Sequence, residues 1–329
     1  MGGSLDFGCL KCGFCVDYCP YEVFGEEFSL RGRVALLKEF YKGRFSIEEI
    51  YPYIINCILC KSPPSCPRDI NMIVLLKKIL SDEAIRERVK SLLKEAIQLP
   101  KSHKEVSGDK TTLLLNKIYT DIKHENVKLL IKFLNELSLD LKVVTFSYPF
   151  HLKQIITMIY GQNSHIKVID MLKRIGRNIV CLDEYTCFYL CEEELNVRSS
   201  LDLIVELLNE GRITILKSLE INALLALPAI KEVASRVKNK CENILRFIPK
   251  LIVKPSECLM DLPLIGLSTD YWLEDIKSYY SNFLDRLIEH GYHAVLTDSP
   301  TLYDWLGTAA AKKFIAISYI PTLILALSR

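Results

Sequence analysis

A run of cysteines near the start of the sequence has the spacing of iron–sulfur cluster ligands. The run C-x2-C-x2-C-x3-C-P consists of Cys9, Cys12, Cys15, Cys19 and Pro20. Thiolates bind iron, and this spacing in a tight loop directs the first three cysteines to one cubane cluster, whereas the fourth ligates a different cluster. Zinc binding and free thiols are the alternatives, but this run is much more specific than a single C-x2-C pair. The run therefore predicts one cluster and a second cysteine motif elsewhere in the chain.

A second cysteine motif, which is incomplete, follows later. Cys57 and Cys60 form a C-x2-C pair and Cys66 precedes a proline, but Pro63 stands where a third cysteine would fall. Because the cysteine before each proline crosses to the other cluster, the two motifs divide into two ligand sets. The first set, for a complete [4Fe-4S] cluster, consists of Cys9, Cys12, Cys15 and Cys66. The second set consists of Cys19, Cys57 and Cys60.

Three thiolates leave the nature of the second cluster open. They can hold a [3Fe-4S] cluster, or a [4Fe-4S] cluster with one non-cysteine ligand on the odd iron. Ser62, Ser65 and Asp69 are candidates for that ligand, as is solvent. The alternative is that the second cluster has been lost and that these cysteines only pack.

Composition excludes several classes of function. The 329 residues carry a net charge of +2, so nothing indicates a nucleic-acid partner. Twelve cysteines without a signal peptide are typical of cofactor ligands in a reducing compartment, which favours a cytoplasmic location. The most apolar stretch, residues 314–327, is too short for a membrane span, although peripheral membrane association stays open.

The elements that must position the cysteines are predicted to be helices. Ser46 and Glu49 form a capping box that begins a helix leading to Cys57. Helical spacing of apolar residues continues over 70–80, 85–97 and 127–139. Arg31 and Arg33, which lie between the two motifs, either offset the negative charge of a cluster or are solvated.

The pattern changes beyond residue 140. Helical segments end at Gly176, Gly211 and Gly291, and a β-rich run follows each glycine, at 179–182, 213–216 and 293–296. Further β-rich runs lie at 143–146 and 251–253. Glycine C-caps followed by apolar strands are typical of α/β units that form a parallel sheet. We therefore predict two α/β lobes, 141–248 and 249–329, after a polar linker that begins at residue 101.

These features resemble the iron–sulfur subunits of the glycolate oxidase, anaerobic glycerol-3-phosphate dehydrogenase and heterodisulfide reductase group. The resemblance rests on the cysteine run, on Leu30-Arg31-Gly32-Arg33, and on Cys57-x2-Cys60 with Cys66-Pro67-Arg68-Asp69-Ile70. It implies a multidomain α+β chain. An α-helical ferredoxin-like domain over 1–100 would precede a linker and bridging helix over 101–140 and two CCG-like lobes with parallel sheets.

The lobes depart from the CCG pattern, because most of its cysteines are replaced. Cys181, Cys187 and Cys191 form a local group in the first lobe, and Cys258 stands at the first cysteine position of the second lobe. They are either a residual metal site or redox pair, or small buried side chains, and the second alternative is favoured because free cysteine is commonly interior. The disulfide-cleaving chemistry of the group lacks its ligands here.

The resemblance implies a subunit that relays electrons between a flavin-dependent dehydrogenase or reductase partner and a downstream acceptor. Such a subunit belongs to an oxidoreductase complex with other redox subunits and is not a catalyst on its own. The alternative is a non-catalytic scaffold or assembly subunit of a heterodisulfide-reductase-like complex, which the loss of CCG cysteines favours.

Overall fold

The computed structural model describes residues 8–16, 19, 21–55, 57, 66–94, 97, 111–116, 125–137, 139, 141–175, 178–193, 195–228, 230–255 and 273–328. The chain divides into two compact units. The first unit includes the described residues before 98 and the segment Pro149–Val168. The second unit includes most of the remaining chain.

Helices and parallel strands form the regular secondary structure, and their apolar residues form the core. The helices are α1 Leu30–Tyr41, α2 Ile47–Ile55, α3 Met72–Leu80, α4 Glu83–Leu93, α5 Glu125–Glu136, α6 Lys153–Tyr160, α7 Gln162–Ile175, α8 Glu184–Glu192, α9 Ser200–Asn209, α10 Lys231–Leu245, α11 Leu273–Glu289, α12 Pro300–Ala310 and α13 Ile320–Ser328. The strands are β1 Thr111–Asn116, β2 Leu141–Phe146, β3 Asn178–Cys181, β4 Val197–Ser199, β5 Asn222–Leu225, β6 Ile252–Pro255, β7 Ala294–Thr297 and β8 Ala316–Tyr319. None of the described helices combines the length and apolar character needed to cross a bilayer.

The first unit is built from helices in its described part. The predicted capping box at the start of α2 is confirmed, because Ser46 N donates to Glu49 Oε2 (2.7 Å) and Glu49 N donates to Ser46 Oγ (3.3 Å). Helices α3 and α4 lie where helical spacing predicted them, and both contact α6. Tyr160 on α6 donates through its hydroxyl to the backbone oxygen of Lys90 (3.0 Å).

Helix α1 is held against a short 3₁₀ turn, Glu26–Phe28, that precedes it. Ser29 caps the helix by accepting from Gly32 N (3.1 Å). Gly32 faces this turn so closely that an added Cβ would overlap the backbone oxygen of Glu26. Glycine is therefore required at this position by the close approach of two backbones.

The second unit contains two four-stranded parallel sheets with the same strand order. The first is β2-β1-β3-β4 and the second is β6-β5-β7-β8. Leu113, Leu114 and Leu115 of β1 are all fully buried, as expected for a parallel strand covered on both faces. The predicted α/β architecture with two parallel sheets is thus confirmed, and helices alternate with strands along both sheets.

The two α/β lobes begin earlier than the sequence predicted. Strand β1, which pairs with both β2 and β3, lies within the predicted linker at 101–140. Strand β5 and helix α10 lie within the predicted first lobe, 141–248, but β5 is an inner strand of the second sheet. The predicted boundary at 249 therefore divides one sheet, and the segment 149–168 belongs to the first unit. A short apolar run does not reveal which sheet it joins, because the pairing partners are remote in sequence.

Individual strand predictions differ in outcome. The runs at 143–146, 179–182, 251–253 and 293–296 overlap β2, β3, β6 and β7. The predicted strand at 213–216 is wrong: Leu216 N instead donates to Leu327 O (2.9 Å), and the strand forms at β5. Gly211 and Gly291 follow α9 and α11 with φ of 70° and 76°, the left-handed conformation of a glycine C-cap. Gly176 lies outside the described residues.

Candidate metal centre

The first cysteine motif lies in a loop with several left-handed residues. Gly8, Lys11 and Gly13 have φ of 63°, 57° and 88°. Gly13 also lies beside the side chain of Arg31, whose Nη1 would be 3.2 Å from an added Cβ. Val16 N donates to Gly13 O (2.9 Å), which closes a turn at the third cysteine. The described loop over residues 8–16 therefore turns sharply around the first three cysteines.

Four of the predicted ligands surround one recess in the first unit. The recess is lined by Cys9, Cys12, Cys15 and Cys66, together with residues of the loop and of the start of α1. The recess is also lined by Pro67 and Ile70, which follow Cys66 of the second motif. The structure thus brings together the four cysteines that the crossed pattern assigned to a single cluster.

The charges and hydrogen bonds around this recess suit thiolate ligands. The charged residues of its described lining are Lys11, Arg31 and Arg68, all of them basic. Ile70 N donates to Cys66 Sγ (3.5 Å). Burial raises the pKa of Cys15, and a hydrogen bond from the backbone N–H of Arg31 offsets this only in part. Four soft donors in a basic recess fit an iron–sulfur cluster, whose thiolates and sulfides are negatively charged.

The two described cysteines of the second ligand set, Cys19 and Cys57, lie near a different group, the guanidinium of Arg33. Cys19 is half-buried and Cys57 is buried. Arg33 Nη1 donates to Cys19 Sγ (3.5 Å), and the Cys19 thiol lies 3.3 Å from the backbone oxygen of Phe28. Burial alone would lower the pKa of Arg33, but the thiols of Cys57 and Cys19 outweigh it and raise that pKa. Cys60, Ser62 and Ser65 lie outside the described residues.

The surroundings of Arg33 also fit a negatively charged group. Its side chain is 2% exposed, so the interpretation that it is solvated is wrong. Its Nε donates to the backbone oxygen of Tyr53 (2.7 Å) and its Nη2 is buried without a hydrogen-bond partner in the described part of the chain. Since a buried cation is costly unless it is paired, an anion beside Cys19 and Cys57 would complete this environment.

The later cysteines form a separate group in the second unit. Cys181 and Cys187 are buried and Cys191 is exposed, and neighbouring thiols are hydrogen-bonded to one another. Arg236 on α10 approaches Cys191 Sγ (3.7 Å) and Cys187 Sγ (4.0 Å). Burial raises the pKa of Cys181, the hydrogen bond with Cys181 raises the pKa of Cys187, and the hydrogen bond with Cys187 raises the pKa of Cys191. The burial of Cys181 and Cys187 supports the interpretation that these cysteines pack. Cys258 lies outside the described residues.

A buried ionic network beside these thiols was not predicted from the sequence. Glu184 is 1% exposed and forms ion pairs with Arg236 (Nε, 2.9 Å) and Lys240 (Nζ, 2.9 Å). Lys240 also binds Asp202 (2.8 Å), which connects α10 of one lobe with α8 and α9 of the other. The sequence signal that could have revealed this network is the pair of basic residues Arg236 and Lys240, at i and i+4 on α10, among apolar residues that face the core.

The network also argues against a metal ion at a nearby group of potential ligands. Ligand atoms of Glu184, Cys187 and Asp202 lie within 4.8 Å of one another. The ammonium of Lys240 already lies 2.9 Å from Glu184 and 2.8 Å from Asp202, so the carboxylates have their cation. A metal ion would have to displace a lysine that is held by two carboxylates.

Comparisons with known proteins do not identify a family. No family model and no curated protein matches the chain. Among solved structures, an aspartate racemase homologue from Pyrococcus horikoshii has 12% identity and a TM-score of 0.33, and the match covers 66% of this chain and 97% of that one. A periplasmic solute binding protein of an ABC transporter from Actinobacillus succinogenes, with bound D-allose, has 11% identity, a TM-score of 0.30 and coverages of 63% and 77%. Scores this low support no inference about this chain.

Proposed function

We propose that this protein is an iron–sulfur electron-transfer subunit. One [4Fe-4S] cluster would be held by the four cysteines of the recess, and a second, [3Fe-4S] or [4Fe-4S] with one non-cysteine ligand, by Cys19, Cys57 and Cys60. The single observation that supports this most is the convergence of Cys9, Cys12, Cys15 and Cys66, from two distant segments, on one recess. The helical structure of the described first unit agrees with a ferredoxin-like domain.

In this proposal, some residues of the first unit hold the clusters and others contact a partner protein. Iron–sulfur clusters, when bound, supply one-electron transfer. The recess borders Leu10 and Phe14, whose side chains are 57% and 58% exposed. Exposed apolar residues beside a redox site offer contact area to a partner protein. The partner would be a flavin-dependent dehydrogenase or reductase subunit, and a cytoplasmic location would keep the thiols reduced.

A scaffold role is the second candidate, and the second unit supports it. Cys181 and Cys187 of that unit are buried, and Glu184 is neutralised by Arg236 and Lys240. Nothing in that arrangement requires a cofactor. A protein whose second unit only binds partners, and whose first unit holds clusters for structural reasons, would be an assembly subunit of a larger complex.

Electron uptake and release separate the two proposals. Anaerobically purified protein is titrated with photoreduced flavin mononucleotide as the donor and then with ferricyanide as the oxidant, while visible absorbance is followed. The relay predicts about one electron taken up per cluster and returned in full. Clusters that are present but accept no electrons from the flavin would contradict the relay and favour the scaffold.

A further inference from the structure

Two arginines of α1 are distributed between the two cysteine sets. Arg31 and Arg33 are two residues apart, so they lie on nearly opposite faces of a helix with 3.6 residues per turn. Arg31 lines the recess of Cys9, Cys12, Cys15 and Cys66. Arg33 instead donates to Cys19. The helix therefore presents one cation to each predicted cluster.

The two cations differ in how far their charge is already compensated. Arg31 forms an ion pair with Glu26 (Nε–Oε1, 2.8 Å), and its side chain is 26% exposed. Both Glu26 and solvent therefore reduce the field that Arg31 exerts on the recess.

Arg33 has only uncharged oxygen, ring and sulfur partners in the described part of the chain. Its Nε is bound by Tyr53 O, its guanidinium lies 5.3 Å from the ring centroid of Tyr21, and its Nη1 is directed at Cys19 Sγ. A second donor, Nη2, is buried without a hydrogen-bond partner among the described residues. Since desolvating a charge is costly, an arginine in this position favours a further negative group beside Cys19 and Cys57.

We infer that Arg33 is the counter-charge of the second cluster and raises its reduction potential. This inference rests on the proposed function, because it requires a cluster on Cys19, Cys57 and Cys60. Reduction adds one negative charge and makes or breaks no bond, so a nearby cation stabilises the reduced form more than the oxidised form. The effect is large for Arg33 because it is buried, where charges interact more strongly than at the surface. Arg33 acts through the cluster and is a positioning and tuning residue.

The test is a redox titration of the intact chain followed by EPR, on wild-type protein and the variants Arg33→Met, Arg33→Lys and Arg31→Met. Iron and acid-labile sulfide are measured first on each preparation. We expect Arg33→Met to lower the equilibrium constant for one-electron reduction of the second cluster at least tenfold. This corresponds to a reduction potential that is lower by about 59 mV. We expect Arg33→Lys, which keeps the charge, to recover most of this shift. Arg31→Met should lower the reduction potential of the first cluster only, and by less than Arg33→Met lowers that of the second cluster.

Several outcomes would overturn the inference, and one of them separates it from the proposed function. Unchanged potentials in Arg33→Met, with both clusters present, would show that the charge does not act on the second cluster. Equal shifts in Arg33→Met and Arg33→Lys would mean that shape and not charge is responsible. Loss of the second cluster in Arg33→Met but not in Arg33→Lys would support the charge role. About four irons in wild-type protein would remove the second cluster, and the inference with it, while leaving the first cluster intact.

Discussion

The protein has two groups of cysteines that differ in whether their charged neighbours are already paired. In the first unit, the recess is lined by basic residues and the buried Arg33 has no carboxylate partner among the described residues. In the second unit, the thiols of Cys187 and Cys191 lie beside Arg236, but Arg236 and Lys240 are both paired with Glu184. Among the described residues, Arg33 of the first group therefore lacks a carboxylate partner, whereas Arg236 of the second group has one.

This difference bears on how a cysteine cluster should be interpreted. Thiols in proximity are weak evidence of a metal site, because free cysteines are among the most buried side chains. Unpaired cations beside them are stronger evidence, since a buried charge without a partner is costly. By this criterion the surroundings of Arg33 support the proposal of an anionic cofactor in the first unit, whereas Glu184 in the second unit is paired with the cations of the protein itself.

The largest effect that the comparison predicts is on metal content. Cys15→Ser removes a thiolate of the recess, so we expect iron to fall by about four atoms per chain. The matched control is Cys191→Ser in the second unit, which should leave the iron content unchanged. Iron and sulfide analysis with EPR makes the measurement. An equal loss in both variants would contradict the distinction between the two groups.

The next effect is on the stability of the second unit. Lys240→Met would leave the buried Glu184 with Arg236 alone, and breaking a buried pair costs about 3 kcal/mol. Lys238→Met is the control, because Lys238 lies on the same helix but pairs only with Glu242 at 3.9 Å near the surface. We expect that variant to change the free energy of unfolding by less than about 0.5 kcal/mol. Urea denaturation compares the two. An equal free energy of unfolding for Lys240→Met and Lys238→Met would mean that the network does not stabilise the contact between the two lobes.

How much of this was predictable differs between the two units. The proximity of Cys9, Cys12, Cys15 and Cys66 was predictable from the cysteine spacing, and the capping box located α2 from two residues. The strands that pair with β1 and the strands that pair with β5 could not be predicted, because strand partners that are remote in sequence leave no local signal. The Glu184 network was also missed, because buried ion pairs join residues from separate helices. The burial of Arg33 depends on the contact of α1 with the 3₁₀ turn, which only the folded chain defines.

A smaller effect is expected at that contact. Gly32→Ala would place a methyl group against the backbone oxygen of Glu26, so we expect a loss of about 1–3 kcal/mol and weaker retention of the second cluster. Gly307→Ala in α12 is the control, since its added Cβ would have no heavy atom within 4 Å. Alanine there should stabilise the helix by up to about 1 kcal/mol. Thermal unfolding with iron analysis tests both. Neutral behaviour of Gly32→Ala would contradict the close backbone approach.

The smallest effect is a pH dependence in the second unit. Burial opposes ionisation of Asp202, but hydrogen bonds from Lys240 and from Ser199 N outweigh it, so the pKa of Asp202 is lowered. A lowered pKa contributes stability above the unfolded value of about 3.9, and this is lost as the pH falls through the folded value. We expect the stability difference between wild-type protein and Asp202→Asn, below about 1 kcal/mol, to shrink under about pH 4. A difference that grows as the pH falls would contradict this assignment.

The most direct test of the central claim is the iron and acid-labile sulfide content of anaerobically purified protein, with EPR before and after dithionite reduction. We expect about seven or eight irons per chain, and an EPR signal in the oxidised protein would identify the second cluster as [3Fe-4S]. About four irons would leave only the cluster of the recess and would contradict the two-cluster relay. Protein without iron, or with zinc in its place, would contradict the electron-transfer function and leave the scaffold.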